Sequence, residues 1–145
     1  MIKVCIAYES KYGNGKKCME YLQNVMNKKG HDVELFSIRE KGPTAIPSAD
    51  LYVFSSPTQI GSPAGKMKKF LKKLQIPQEG AKYALVTTCM SPPNTKCLQK
   101  MEKLLSTKEI SKISDGLMIK VTGMNGPLDS GYEEKIETFA DNILG

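Results

Sequence analysis

Hydrophobic and polar residues are arranged in segments that predict alternating strands and helices. Residues 2–8 form an almost continuous apolar run, interrupted by Lys3, which is typical of a strand buried on both faces of a parallel sheet. Four further stretches predict strands at residues 33–38, 51–55, 83–88 and 116–122. The stretch 33–38 alternates between apolar and polar residues, so we expect it at an edge of the sheet.

Apolar residues at helical spacing follow four of the five predicted strands. The first helix is predicted from about residue 14 to residue 29, with Gly30 as a fitting C-terminal cap. The others are predicted at residues 64–74, 97–105 and 131–144. This alternation predicts an α/β fold with a doubly wound sheet, right-handed crossovers and helices on both faces. With 145 residues, we expect a single domain over residues 1–145.

Three loops form the candidate ligand site, because ligands of doubly wound sheets bind beyond the carboxyl ends of the strands, where the strand order reverses. These loops follow the first, third and fourth predicted strands. The first one is rich in hydroxyls and glycines and leads directly into a helix, an arrangement that binds anions through backbone N–H groups. Gly13 and Gly15 allow close approach, and Ser10, Tyr12 and Asn14 can add side-chain donors.

Two common phosphate-binding motifs are absent from this first loop. The dinucleotide motif G-x-G-x-x-G lacks its third glycine, since Gly13 and Gly15 lead to Cys18. The triphosphatase motif G-x-x-x-x-G-K-[ST] fails at both ends, where Ser10 and Lys17 stand. An ordinary turn without a ligand remains the alternative, but the unusual composition of the other two loops favours a bound phosphate.

Charge and hydropathy narrow the function classes. The net charge is +6, and 20 of the 21 basic residues are lysines, the exception being Arg39. Proteins that read nucleic acids are expected to use more arginine and interleaved aromatic residues, so we expect no nucleic-acid partner. No apolar run is long enough to span a membrane and no signal peptide is visible, so we expect a cytoplasmic protein without a membrane segment.

The four cysteines do not form a metal-binding or redox motif. They contain no C-x-x-C pair, and the chain has only one histidine, His31. Cys5, Cys18 and Cys97 lie in predicted apolar segments, where we expect buried, reduced thiols. Cys89 is predicted to lie in a loop, where it is either an ordinary small apolar residue or a contact to the ligand.

The first loop and its surroundings resemble the flavodoxin family. The family signature is an apolar run, an aromatic residue and then Ser/Thr-x-x-Gly-x-Thr at the start of the first helix. Here Tyr8, Ser10 and Gly13 match, whereas Gly15 stands where the family has threonine. The loop at residues 56–62 and the five predicted strands extend the similarity along the chain. The resemblance implies a flavodoxin-like, five-stranded parallel sheet with strand order 2-1-3-4-5.

The resemblance also implies flavin mononucleotide (FMN) as the cofactor. The phosphate would bind at residues 10–15, with the isoalloxazine ring between the other two loops, where Gly61 aligns with the glycine whose peptide faces flavin N5. The usual aromatic walls are missing, and Ile60 on one side and Cys89 or Met90 on the other take their place. The cofactor-binding residues implied are Ser10, Lys11, Tyr12, Gly13, Asn14, Gly15, Pro57, Thr58, Gln59, Ile60, Gly61, Thr88, Cys89, Met90, Ser91 and Asn94.

Three functions are compatible with this sequence. The resemblance implies an electron carrier without enzymatic activity that shuttles electrons between redox partner proteins. The alternative is a small FMN-dependent oxidoreductase acting on a quinone, a porphyrinogen or another small molecule, although no histidine or paired carboxylates occur in the loops. The third is a flavin-free scaffold or signalling domain. A receiver domain is disfavoured because Ser55 and Ser56 stand where a phosphorylated aspartate is needed. A small tyrosine phosphatase is disfavoured because no cysteine is followed by a phosphate-binding arginine, Arg39 being the single arginine of the chain.

The helix predicted after Gly61 has five lysines, which indicate the charge expected of a redox partner protein. Flavodoxins are typically acidic, whereas this chain is basic, so an acidic partner, such as an acidic iron–sulfur protein, would be complementary. An ordinary solvated helix face is the alternative. The lysines concerned are Lys66, Lys68, Lys69, Lys72 and Lys73.

Overall fold

A central, mainly parallel sheet with helices on both faces forms the fold. The computed structural model describes residues 1–90, 95–123 and 126–144. The strands are β1 (Lys3–Tyr8), β2 (Asp32–Ser37), β3 (Leu51–Gln59), β4 (Ser62–Pro63), β5 (Lys82–Cys89), β6 (Ser111–Lys112) and β7 (Leu117–Lys120). The helices are α1 (Asn14–Lys28), α2 (Gly65–Lys73), α3 (Lys96–Leu105) and α4 (Tyr132–Leu144).

The strand order confirms the predicted topology. The parallel strands lie in the order β2-β1-β3-β5, and β6 and β7 both pair with β5. Because β5 is the fourth predicted strand and β6 and β7 share the fifth position, this is the order 2-1-3-4-5. The short strand β4 adds to β3 in an antiparallel direction. Within the described ranges, no helix is both long and apolar enough to cross a membrane.

Strand β1 lies at the centre of the core and is buried on both faces, as predicted. Val4 and Ile6 pack in a cluster with the apolar sides of α1 and α4. Cys5 and Ala7 belong to a second cluster, which includes the apolar sides of α2 and α3. The period-two alternation of the strand thus divides one apolar run between two helical layers.

Helix α1 begins at the carboxyl edge of β1, where the candidate site lies. Its apolar stripe, which includes Cys18, Leu22 and Met26, is buried against the sheet. Gly30, with a φ of 91°, ends the helix, and the N–H of His31 donates to the carbonyl of Met26 over 3.2 Å. The stripe and the cap together fix which end of the helix faces the first loop.

Two predictions about loops are wrong in detail. Residues 57–63 were expected to form a loop, but β3 continues through Pro57 to Gln59 and turns back into β4. Pro57 pairs with Thr88 of β5, and this pairing keeps it extended although a proline has no N–H to donate to a neighbouring strand. Cys89 was expected in a loop, but it is the last residue of β5 and is buried.

Candidate functional site

A cleft opens beyond the carboxyl ends of β1, β3 and β5. It encloses about 560 Å³, including the part open to solvent. Eleven of the residues predicted from the sequence line it: Ser10, Lys11, Tyr12, Asn14, Gly15, Pro57, Thr58, Gln59, Thr88, Cys89 and Met90. Glu9 and Val121 complete the lining. The cleft lies where the strand order reverses, the position expected for a ligand in this architecture.

The other predicted residues lie elsewhere. Gly13 is the N-terminal cap of α1 and does not line the cleft. Ile60 and Gly61 form the tip of the hairpin between β3 and β4, outside the cleft lining. Ser91 and Asn94 lie outside the described residues.

The first loop presents backbone N–H groups to the cleft. Gly13 has a φ of 96°, and its N–H donates to Oγ of Ser10 over 3.1 Å. The first hydrogen bond of α1 runs from the N–H of Lys17 to the carbonyl of Gly13 over 3.0 Å, and no side chain caps the helix. The first N–H groups of a helix have no intrahelical acceptor and carry the positive end of its dipole, so this end of the cleft is suited to an anion.

Gly15 lies in the first turn of α1, beside those N–H groups. A Cβ atom at this position would lie 3.6 Å from the carbonyl oxygen of Glu9 and 3.7 Å from Oγ of Ser10. These are ordinary contacts, and the φ of Gly15 lies outside the left-handed region. A Cβ atom would therefore meet no clash at this position.

A fourth loop, after β7, approaches the first loop. A Cβ atom at Gly126, where φ is 91°, would lie only 2.8 Å from Oδ1 of Asn14. Val121 is bound to β5 through its N–H, which donates to the carbonyl of Cys89 over 2.8 Å. Sequence reasoning missed this contribution, although the loop follows a strand that ends at the same edge of the sheet.

The base of the hairpin is fixed by hydroxyl groups. The hydroxyls of Thr58 and Thr87 are 2.6 Å apart, and Oγ of Ser56 accepts the N–H of Ala64 over 2.9 Å. At the tip, Ile60 has a φ of 52°, a rare conformation for a β-branched residue, and its side chain is fully exposed. The hairpin thus has a rigid base and a strained, apolar tip.

Cys89 contributes a neutral thiol to the cleft. Burial raises the pKa of this thiol, the nearby Cys97 raises it further, and Lys135 opposes the effect. The cysteines are free rather than paired in disulfides. At neutral pH the residue is therefore a small, weakly polar wall rather than a thiolate nucleophile.

Exposed apolar side chains surround the cleft. Tyr12, Ile60 and Met90 belong to the few large hydrophobic residues that are exposed in the described part of the chain, and each lies on a different one of the three loops. The cleft therefore joins an end that is suited to an anion to an apolar rim. Among the described residues, no group of three His, Cys, Asp or Glu side chains is placed to bind a metal ion.

An ion pair between the buried Glu9 and the half-exposed Arg39 lies next to the first loop. Oε1 and Oε2 of Glu9 accept hydrogen bonds from Nε and Nη2 of Arg39 over 2.9 and 3.0 Å. Sequence reasoning missed this pair. The signal was present, since the single arginine of the chain follows the second predicted strand and therefore lies at the same edge of the sheet as Glu9.

Comparison with known proteins identifies the family. A family model for a flavodoxin domain matches residues 5–115, about three quarters of the chain. The chain belongs to the flavodoxin family. Flavodoxins contain a flavin and transfer electrons to partner proteins, so the family agrees with a cleft that combines an anion-binding end and an apolar rim. No curated protein sequence matches the chain.

Solved flavodoxin structures share this fold over almost the whole chain. Flavodoxin 2 from Bacillus cereus has a TM-score of 0.83 and 21% identity, and the match covers 98% of this chain and 97% of that one. A flavodoxin from the domain Archaea has a TM-score of 0.80 and 17% identity, and the match covers 97% of this chain and 95% of that one. The flavodoxin of Streptococcus pneumoniae TIGR4 has a TM-score of 0.79 and 16% identity, and the match covers 98% of this chain and 97% of that one. At these identities the likeness concerns the fold.

Proposed function

We propose that this flavodoxin-family protein is an FMN-binding electron carrier, formed by a single domain over residues 1–145. The observation that carries the proposal is the composition of one cleft. The uncapped N-terminus of α1 lies at one end, and exposed apolar side chains lie around the rim. A flavin mononucleotide has the same two parts, an anionic phosphate and a large apolar ring.

The first loop would bind the phosphate mainly through the main chain. The N–H groups of Gly15 and Lys16 lie in the first turn of α1, before Lys17, whose N–H makes the first hydrogen bond of the helix. The hydroxyl of Ser10 accepts the N–H of Gly13, which leaves its own hydrogen available to an anion. Gly15 supplies no hydroxyl where the family has threonine, so backbone donors contribute a larger share.

The hairpin and the end of β5 would enclose the ring. Thr58 and Gln59 line the cleft on one side, and Cys89 and Met90 line it on the other. A bound flavin would supply the electron-transfer chemistry, and these residues would shield it from water. The tip of the hairpin, at Ile60, is exposed next to Gln59, which lines the cleft.

The cofactor proposal is tested on the purified protein. We expect a yellow preparation with flavin absorbance, and mass spectrometry of the material released by heat should identify FMN. Apoprotein should rebind FMN with a micromolar or lower dissociation constant. A colourless protein that does not bind added FMN at micromolar concentrations would refute the proposal. Turnover of NAD(P)H with quinones, without a partner protein, would favour the oxidoreductase alternative.

One segment of the chain, which includes α2 and most of α3, has a large excess of positive charge. Residues 51–101 contain eight lysines and one acidic residue, Glu79, so this segment has a net charge of +7 while the rest of the chain has −1. The five lysines of α2 are exposed, and α2 packs beside α3. Nζ of Lys100 on α3 donates to Oγ of Ser62 in the hairpin over 2.6 Å. The lysines of α2 and α3 therefore form a positive face next to the hairpin.

This face supports an acidic redox partner. Complementary charge mainly increases the rate of encounter and orients the two proteins. Lys69 lies on α2, which begins near the cleft, and Lys28 lies at the far end of α1. Electron transfer to a small acidic [2Fe–2S] protein should therefore slow in Lys69→Glu but not in the matched variant Lys28→Glu. Stopped-flow rates should also fall as salt is added, and rates independent of ionic strength would refute the acidic partner.

A further inference from the structure

Glu9 occupies an unusual position for a carboxylate. Among the described residues it is the single charged residue that is buried, with 4% of its surface exposed. It lies between the last residue of β1 and Ser10, and it lines the cleft. A buried carboxylate here would oppose the binding of an anion to the first loop.

The carboxylate is fixed in place by two neighbouring strands. The N–H of Glu9 donates to the carbonyl of Ser55 over 2.9 Å, which continues the pairing of β1 with β3. On the other side, Arg39 binds both carboxylate oxygens. The N–H of Arg39 donates to Oγ of Ser37, the last residue of β2, so the arginine is itself held at the edge of the sheet.

The charge of Arg39 compensates that of Glu9. A two-point bond between guanidinium and carboxylate is short, directional and nearly neutral as a unit. The guanidinium is about half exposed, with 45% of the side chain accessible, whereas the Glu9 side chain is only 5% exposed. Loss of the arginine would therefore leave an uncompensated buried charge beside the first loop.

We infer that Arg39 is a positioning residue, which neutralises and fixes the Glu9 carboxylate and so allows the cleft to prefer an anionic flavin over a neutral one. This inference rests on the proposed function, because it assumes that the flavin phosphate binds at the first loop. Arg39 does not line the cleft, so it acts through Glu9 rather than on the ligand. The two flavins that separate these effects are FMN and riboflavin, which differ only by the phosphate.

The test compares the affinities of apoprotein variants for FMN and riboflavin. In Arg39→Gln, the glutamine can still donate to Glu9 but has no charge. The preference for FMN, taken as the ratio of the two dissociation constants, should fall by at least about tenfold, because an unpaired buried charge close to a like charge costs this much or more. In the double variant Glu9→Gln/Arg39→Gln, the ratio should return to within about threefold of the wild-type value.

Each outcome supports or overturns the inference. An unchanged ratio in Arg39→Gln overturns the inference. An equal loss of affinity for FMN and for riboflavin that the double variant fails to restore also overturns it, because this result indicates a purely structural role. If Arg39→Gln shows no cooperative unfolding transition, Arg39→Lys decides, because it keeps the charge and should keep the wild-type ratio. A tenfold loss in Arg39→Lys would then overturn it. Wild-type protein that binds neither flavin would refute the proposed function instead.

Discussion

Replacement of Gly15 by threonine should strengthen FMN binding. The change restores the residue that the family has at this position, and its Cβ atom would meet no clash there. The new Cβ would lie 3.6 to 3.7 Å from its neighbours in Glu9 and Ser10, and the backbone is outside the left-handed region. The added hydroxyl would stand beside the N–H groups at the start of α1, where we propose that the phosphate binds.

The expected gain follows from the charge of the phosphate. A hydrogen bond to a charged group contributes about 1.5–3 kcal/mol, which corresponds to an FMN dissociation constant lower by about tenfold to a hundredfold. Removal of a helical glycine also stabilises the apoprotein, by up to about 1 kcal/mol for alanine. Stability and affinity must therefore be measured separately, by urea unfolding of the apoprotein and by fluorescence titration with flavin.

Two controls isolate the contribution of the hydroxyl. Gly15→Val has nearly the shape of Gly15→Thr without the hydroxyl, and Gly15→Ala reports the helix effect alone. Only the threonine variant should bind FMN more tightly than the wild type, and its affinity for riboflavin should stay unchanged. A threonine variant that binds FMN no better than the valine variant, or that gains equally for riboflavin, would show that the phosphate binds elsewhere.

Three further perturbations test the site and the core. Gly13→Val should leave a folded protein that binds no flavin. The variant should be destabilised by about 1–3 kcal/mol, because valine is strained at a φ of 96°. Unchanged flavin content would contradict the assignment of the phosphate to the first loop. Gly126→Ala should displace Asn14 and weaken FMN binding, and a titration that matches the wild type would show that the fourth loop is not needed. Burial raises the pKa of Cys5 and of Cys18 to about 12 from 9.0. Between pH 9 and 12 the folded state therefore keeps thiol protons that the unfolded state loses. The free energy of unfolding should fall in this range by up to about 1.4 kcal/mol per pH unit for each thiol. Urea unfolding across this range should show a smaller loss in Cys5→Ala, and equal slopes would contradict a buried thiol.

The sequence predicted the framework because the framework depends on local patterns. The apolar run around Ile6 and the helical stripe that includes Leu22 each have one periodicity, and both elements formed as expected. Gly30 marked the end of α1 because only a residue that tolerates a positive φ ends a helix in this way. The first loop was predictable for the same reason, since its glycines and hydroxyls follow directly after a buried strand.

Local patterns did not predict the hairpin, and they placed the two partners of the ion pair at one edge of the sheet without showing that they meet, because both features depend on contacts between distant residues. Ile60 and Gly61 both have a positive φ, as in a two-residue hairpin turn, yet isoleucine is a rare residue there and gives no turn signal. Proline at position 57 suggested a break, but pairing with β5 keeps the strand extended. Likewise, Glu9 and Arg39 are 30 positions apart, and only the parallel pairing of β1 and β2 brings their side chains together.

The divided outer strand of the sheet has a consequence for the behaviour of the protein in concentrated solution. Strands β6 and β7 contain two and four residues, and Gly116 lies between them in a packed position, where a Cβ atom would come within 2.9 Å of Leu98. A long, uniform border would offer a row of main-chain donors and acceptors to another molecule, which is a common start of aggregation. The interruption leaves only short pieces on this border and so disfavours the addition of another strand along this side of the sheet.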